Sequence, residues 1–555
     1  MAPVMRQLLD MSTSAKPHLT LSPSAPTQRS DSDIRISAID IGSNSIRQTI
    51  ADVSPNGSIR VVDEMKAAPR LGAGLRESGV LSEIAIQNAL STLSRMATLA
   101  SQLGVKHTEV VATSAVRDAE NSEVLLRRVR AETGLKVRIL HGEDEARLSF
   151  RSALAHFDLG AGRAVVMDIG GGSLELALSD DGLVERLISL PFGAIHMSER
   201  YLGDDMKKKG MRKLRKHVRQ ELKRRLAARH WNTPRIYCSG GTFTSLASMY
   251  LARIGMEAAK TVHGTVIPRV ELEHIVDTLN NMSVAERQTV PGLSAARSDI
   301  IVGGLAVAAE VAARVEAKEL VVSAYGIREG ILLESAHVAP SPADPGEARE
   351  RSVLQLAERT HYEAPHSKHV QKLSLQLFDS IGERLGCIPD DRKLLSDAAL
   401  LHDIGYHISY DKHNKHSYHL IEHAELLGMT PVEQIIVANV ARYHRGAEPK
   451  KKHRNYGGLE RSVRQTIKRL SAILRVADGF DRGHASAVAE IKVRWLERAL
   501  RLTAVPARHG ANLRLDLWGA SRKSKLLSEL AGVPVEIVGP DGSVATYDDE
   551  VGAAD

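Results

Sequence analysis

Two stretches of this chain set an acid just ahead of a run of small residues: Asp40-Ile-Gly-Ser-Asn-Ser45 and Asp168-Ile-Gly-Gly-Gly-Ser-Leu-Glu175. Each follows an apolar run (Ile36 to Ile39, Ala164 to Met167) and precedes an alternating one (Ile46 to Val53, Leu174 to Leu178). That order predicts strand, tight turn, strand. Glycines there let backbone N–H groups close on an anion with no Cβ in the way. The acid ahead of them is placed to hold a cation or a water beside that anion. One glycine run is weak evidence. Two with the same flanks predict two similar half-domains facing a shared cleft.

Such a cleft suits phosphoryl chemistry if cationic forks and a carboxylate reach it. Arg70, Arg117 and Arg328 occupy loop positions, in Arg70-Leu-Gly-Ala-Gly-Leu75, Thr113-Ser-Ala-Val-Arg117 and Tyr325-Gly-Ile-Arg328. Glu143, Asp144, Glu145 and Glu175 are the acids that could orient or deprotonate a water. Glu143 and Asp144 serve equally well as acids in a first helical turn.

The elements needed to position these residues follow in order. Helical spacing runs from Ser82 to Leu103 and from Glu123 to Glu132. Short apolar strands are expected at Glu109 to Ala112, Val137 to Leu140, Arg235 to Cys238 and Leu320 to Ser323. Alternating strands and helices imply an α/β fold in two halves, 34–160 and 161–338. Residues 1–33, rich in Ser, Thr, Pro and Ala, are expected to be a disordered leader. Residues 339–347 (Ala-Pro-Ser-Pro-Ala-Asp-Pro-Gly-Glu) form the clearest linker. Helical periodicity dominates 346–490. The tail, 491–555, is expected to be a small α+β module, with Leu513-Arg-Leu-Asp-Leu-Trp518 reading as strand.

Composition narrows the class. The chain has 555 residues, 43% hydrophobic and 25% charged, enough for several cores. Its formal charge of +7 favours an acidic partner. Aromatics make up only 4%, against a base-stacking surface and specific nucleic-acid binding. Cys238 and Cys387 are the only cysteines, so a disulfide framework is excluded and a reducing compartment fits. No apolar run approaches the ~18 residues of a membrane helix, and the expectation is a cytoplasmic protein away from the membrane. The runs Lys207 to Arg225 and Lys450 to Arg454 read as solvated surface or, with Arg442 and Arg445, as a path for a polyanion.

The helical segment carries its own pattern: His366, the pair His402-Asp403, His416, His444 and Asp478. Histidines and aspartates from different helices can converge on one or two divalent ions that activate water. This order resembles the HD superfamily of metal-dependent phosphohydrolases, and the resemblance makes these six residues candidate ligands of a second divalent metal.

The first half resembles the exopolyphosphatase / guanosine pentaphosphate phosphohydrolase (Ppx/GppA) family, in its long form with an HD domain. The likeness rests on seven stretches in family order. They are Ala38 to Ser45, Ala112 to Asp118, Gly142 to Ala146, Met167 to Ser173, Ser239 to Thr242, Pro291 to Asp299 and Ser323 to Gly330. The resemblance implies an actin-like (ribonuclease H-like) duplicated α/β fold, then an all-α HD-type domain and the small C-terminal module. It implies Mg²⁺-dependent removal of terminal phosphates from inorganic polyphosphate with release of orthophosphate, or the alternative conversion of pppGpp to ppGpp, in a homodimer. By the same match Glu145 is the catalytic base and Arg117 contacts phosphate. Ser43, Asn44, Gly170, Gly171, Gly172 and Ser173 bind phosphate and Asp168 attends the metal; from their own places in the cleft, Arg70 is a further phosphate-binding candidate and Asp40 and Glu175 are further metal candidates. Asp144 departs from the glutamate common there, which favours Glu145. An actin-like kinase and a nucleotide hydrolase run by the HD half are the rival readings.

Overall fold

The computed structural model describes residues 33–545 apart from 56–58, 204–206, 257–258, 260, 339–344, 425 and 427. The expected leader (save Asp33), most of the expected linker and the end of the tail lie outside the described residues. The last residues assigned to the linker instead open a helix, Pro345–Arg359. Proline fits a first helical turn because its missing N–H has no intrahelical partner there.

The first sheet contains β1 (Ile34–Ile41), β2 (Ile46–Val53), β3 (Ile59–Ala67), β4 (His107–Ala112) and β5 (Val137–Ile139), in the order β3-β2-β1-β4-β5. The second contains β6 (Arg163–Ile169), β7 (Leu174–Asp180), β8 (Leu183–Leu190), β9 (Arg235–Ser239), β10 (Thr265–Pro268) and β11 (Glu319–Val322), in the order β8-β7-β6-β9-β11-β10. In both, three antiparallel strands continue into parallel ones, β1 onto β4 and β6 onto β9. The second sheet repeats the first and adds β10 at its edge. This is a duplication, read directly from strand order.

One helix joins the halves. Gly142–His156 turns Leu148 into a cluster with Ile36 and Ala38 of the first sheet, and Phe150 and Leu154 into one with Val166 and Ala177 of the second. Residues on two faces are therefore buried at once, which holds its first turn between the sheets. Helix Ile327–Ser335 leaves the second half after β11, and its Ile331 and Leu332 pack beneath β1.

Beyond residue 345, helices Ala364–Ile381, Asp391–Leu401, His413–His423, Pro431–Arg442 and Arg461–Gly479 share one core, including Leu373, Leu377, Leu395, Val437 and Leu474. A terminal sheet, β12 (Val488–Trp495), β13 (Leu500–Pro506), β14 (Val535–Val538) and β15 (Val544–Ala545), feeds Leu500, Leu502 and Ile537 into that core. The stretch Leu513 to Trp518 is not a strand: it enters helix Arg514–Lys523. Alternation fails there because Leu515 is half exposed, while Leu513, Asp516 and Ala520 are buried at helical spacing. The helix crosses Arg461–Gly479 at Gly519 and Gly479, where a Cβ on Gly479 would lie 2.7 Å from the Ala520 Cα. Among the described residues no helix is long and apolar enough to cross a membrane.

The basic helix Lys207–Arg225 buries Leu214, Val218 and Leu222. Arg215 pairs with Glu273 at 2.7 Å and Arg219 with Glu310 at 3.0 Å, so part of that charge is tied to the fold.

Candidate active site

The two glycine turns are closed by the same bond. Gly42 N–H donates to Ser45 O at 3.1 Å, and Gly170 N–H to Ser173 O at 3.0 Å. They meet across the cleft: a Cβ on Gly171 would sit 2.9 Å from the Ser43 Cβ, and one on Gly172 would collide with the Ser114 hydroxyl. Glycine is needed for the two halves to approach this closely. A cavity of about 140 Å³ between them is lined by Asp40, Asn44, Arg47, Glu145, Asp168 and Glu175, with Arg297 and Arg328 also on its wall. Ser43, Ser114, Gly171 and Ser173 form a wall shared with a second cavity, of about 420 Å³, which Arg117 and Gly172 border.

Glu145 enters this wall from the first turn of the connecting helix. Its Oε1 accepts from Arg117 Nη1, which also donates to the Leu140 carbonyl at 2.8 Å. Burial pushes the Glu145 carboxyl up to about 8, against the pull of Arg117. Asp144 and Glu143 differ. Asp144 pairs with Arg147 at the surface, and Glu143 stands outside both cavities beside Arg147.

Asp168 Oδ2 accepts from Ser239 at 2.6 Å and Ser149 at 3.1 Å. Burial raises its carboxyl against these two bonds. Glu175 Oε1 accepts from Ser189 at 3.0 Å; burial, Glu145 and Asp168 all push its carboxyl well up. Asp40 is pushed up to about 6 by burial, against Arg328 and Arg47. Its Oδ1 and the Asn44 Oδ1 are buried with no hydrogen-bond partner. Four carboxylates in one small cavity, one with an orphaned oxygen, are a set of hard oxygen donors suited to Mg²⁺-type ions.

Arg70 is the sequence candidate that falls elsewhere. It sits half exposed outside both cavities and pairs with Asp299 at 2.7 Å, tying a loop of the first half to the second. The bulk of the guanidinium is held at the rim by that partner.

Arg47 is a site residue outside the seven motif stretches, and Arg297 lies in one of them, Pro291 to Asp299, without a role assigned from sequence. Burial pushes Arg47 down and Arg297 down to about 10. Arg297 packs on Gly241, where any Cβ would collide with its guanidinium. Arg328 donates to Thr49 at 2.6 Å and Glu64 at 2.9 Å. Lys66 stands in the field of all three arginines. The cavity lining is thus cationic as well as acidic. Arg47 had a signal: it faces Asp40 in the hairpin register as Glu175 faces Asp168. Ser239 opens the motif stretch Ser239 to Thr242, while Ser149 had no signal.

In the helical region, His366, His402, Asp403, His444 and Asp478 converge and are all buried. His416 does not join them; His413, one turn earlier on the same helix, does, with Nε2 3.2 Å from Asp403 Oδ1. The 3₁₀ turn Ile404–His407 brings the chain back so that the start of the next helix, not its second turn, faces Asp403. Burial alone would raise Asp478, yet Lys523 and the imidazoles of His444 and His402 hold it well below the usual carboxylate range. Lys523 and Asp481, which bonds His366 Nδ1 at 2.9 Å, lie too far along the chain for any local pattern to mark them.

Comparison with known proteins agrees with this architecture. Residues 49–339 match the Ppx/GppA phosphatase family, and residues 348–517 match Ppx/GppA phosphatase, domain III. The guanosine-5'-triphosphate,3'-diphosphate pyrophosphatase of Vibrio vulnificus (strain YJ016) is 26% identical over 415 residues, 74% of this chain and 80% of its own. Exopolyphosphatase 1 of Mycobacterium tuberculosis (strain ATCC 25618 / H37Rv) is 33% identical over 304 residues, 54% of this chain and 88% of its own. The crystal structure of an exopolyphosphatase from Cytophaga hutchinsonii ATCC 33406 shares the fold, with a TM-score of 0.50 and 24% identity over 55% of this chain and 99% of that one. With a family match across both α/β halves and a relative covered over most of its length, this chain belongs to the Ppx/GppA phosphatase family.

Proposed function

We propose that the cleft hydrolyses the terminal phosphoanhydride of inorganic polyphosphate and releases orthophosphate. The observation that carries this reading is the Glu145–Arg117 pair on the wall between two facing glycine turns. The turns offer N–H groups, and Ser43, Asn44 and Ser173 offer polar side chains, to the terminal phosphate. Arg117 lies beside that phosphate and draws on the negative charge that grows there. Glu145, its carboxyl pushed up to about 8 by burial, takes a proton from the attacking water. Water's oxygen bonds to phosphorus, the bridging P–O bond breaks, and the shortened chain leaves with the bridging oxygen. Asp168, Glu175 and Asp40 are the residues that would hold a divalent cation, Mg²⁺ by their all-oxygen chemistry. When bound, it neutralises phosphate charge and leaving-group charge.

The alternative substrate, pppGpp, uses the same groups. Two observations favour keeping it. The Vibrio relative of that name aligns over more of this chain than the mycobacterial exopolyphosphatase does. Arg47, Arg297 and Arg328 also give the cavity a cationic wall that a second diphosphate could meet. Comparing kcat/KM on long-chain polyphosphate and on pppGpp decides between them. A polyphosphate value at least ~10-fold higher supports the first reading; the reverse order overturns it.

A further inference from the structure

A group of metal-ligating side chains lies apart from both the cleft and the buried histidine–aspartate cluster. Helix His413–His423 sends His413 into that cluster from its first turn. At its other end, about 9 Å further along the helix axis, it carries His419, Glu422 and His423. Spacings of three and four residues put all three on one face, the spacing at which two helical histidines can share a Zn²⁺ ion. One ligand atom from each lies within 4.8 Å of the other two.

Glu422 is the anchor of this group. Its side chain is only 8% exposed, although the imidazoles of His419 and His423 beside it are 60% and 52% exposed. Glu422 Oε1 accepts from the Tyr418 hydroxyl at 2.7 Å. Tyr418 is itself covered by the Arg442 guanidinium, 5.3 Å from its ring centre. Glu422 Oε2 is left facing His419 Nδ1 at 3.5 Å and His423 Nδ1 at 3.7 Å. Protonated imidazoles would answer its charge, but both stand beyond the usual N–H···O length. His423 Nδ1 is turned instead to the His419 carbonyl at 2.9 Å. That oxygen only accepts, so Nδ1 is the donor and His423 Nε2 carries the lone pair. A carboxylate oriented in advance and two imidazoles standing in water make a site that an ion enters by side-chain rotation alone. The carbonyls of the last helical turn add partial negative charge, which favours a cation there.

We propose that His419, Glu422 and His423 form a surface site for one transition-metal ion, Zn²⁺ by its donor set of two imidazoles and a carboxylate, with water completing the coordination. The ion joins successive turns at the end of the helix that also supplies His413. It takes no part in the cleft chemistry. It binds the folded chain alone, because the three ligands converge only when the helix is formed, and so it stabilises the helical domain.

The test counts ions on the full chain by equilibrium dialysis against Zn²⁺ buffered at micromolar free concentration, with Mg²⁺ in excess. The double variant His419→Gln with His423→Gln is expected to hold one Zn²⁺ fewer per chain than the parent, whatever the buried cluster binds in both. Both positions are largely exposed, so the variant keeps the fold. Equal counts, or a parent that holds no Zn²⁺, overturn the site. Tyr418→Phe keeps the ring and frees the Glu422 carboxylate, and it should weaken the ion that distinguishes parent from double variant about 10-fold. Unchanged affinity overturns the anchoring by Tyr418. Zn²⁺ should also raise the thermal midpoint of the parent more than that of the double variant. An equal rise overturns the stabilising role.

Discussion

The two glycine hairpins are one object built twice, and they differ where it matters. In both, an acid stands next to last in the first strand and a bonded turn follows. Across the ladder, Asp40 faces Arg47, whereas Asp168 faces Glu175. The first hairpin is charge-balanced and adjoins the cationic wall of Arg297 and Arg328. The second is doubly acidic and adjoins Glu145, with every carboxyl pushed up. Duplication supplied a similar cradle in each half, and the residue facing the acid, Arg47 in one and Glu175 in the other, sets the charge of each; on the proposed function the second hairpin carries more of the cation and the first adds cationic groups for the anion.

Breaking the acidic half is expected to cost most. Asp168→Asn should lower kcat about 10³-fold, because a buried carboxylate held by Ser149 and Ser239 loses its charge and the divalent cation its ligand. Measuring kcat against Mg²⁺ concentration checks this; a loss recovered entirely by more Mg²⁺ would show the ligand role alone. Breaking the cationic half should act on binding instead. Arg47→Met is expected to raise KM about 10-fold and leave kcat within about 3-fold, as removal of uniform binding does. A kcat loss equal to that of Asp168→Asn would erase the division between the hairpins.

The raised carboxyls also set a pH dependence. An acid whose folded pKa lies above its unfolded value destabilises the fold as it ionises, so stability falls as pH climbs from the unfolded to the folded value. For Glu145 that window runs from 4.5 to about 8, and for Asp40 from 3.8 to about 6. The ion-free protein should lose on the order of a few kcal/mol between pH 5 and 8, and Mg²⁺ should return it at pH 8. Thermal midpoints with chelator and with Mg²⁺ read this out. A midpoint rising over that range without metal would contradict the burial assigned to these groups. The smallest effect belongs to the rim. Arg70→Ala removes a half-exposed pair with Asp299 and should cost under about 1 kcal/mol and less than 3-fold in kcat/KM.

The duplicated sheets and the two turns are legible in the sequence because each is written locally; Glu145 and Arg117 stand in short motifs of their own, and only the fold pairs them at the wall between the two cavities. Acid, glycines and alternating flanks sit within single hairpins, and the Glu145 motif opens its own helix. Positions fixed by distant partners are not legible. Arg70 reads as a phosphate ligand because nothing near it in sequence announces Asp299. His416 reads as a ligand in place of His413 because a three-residue slip along a helix turns a side chain to another face, and only the preceding 3₁₀ turn fixes the phase. Lys523 reaches Asp478 through the glycine crossing of two helices, a contact between segments with no shared pattern. The Leu513 to Trp518 alternation misleads because tertiary packing on helix Arg461–Gly479 overrides it.

The most direct test of the cleft as a hydrolytic site is phosphate release from long-chain polyphosphate and from pppGpp with Mg²⁺, wild type against Glu145→Gln. The substitution keeps the shape and removes the base. The expected result is a fall in kcat of about 10²–10⁴-fold on whichever substrate the wild type prefers, with KM nearly unchanged. A Glu145→Gln protein that turns over either substrate at the wild-type rate would contradict the account.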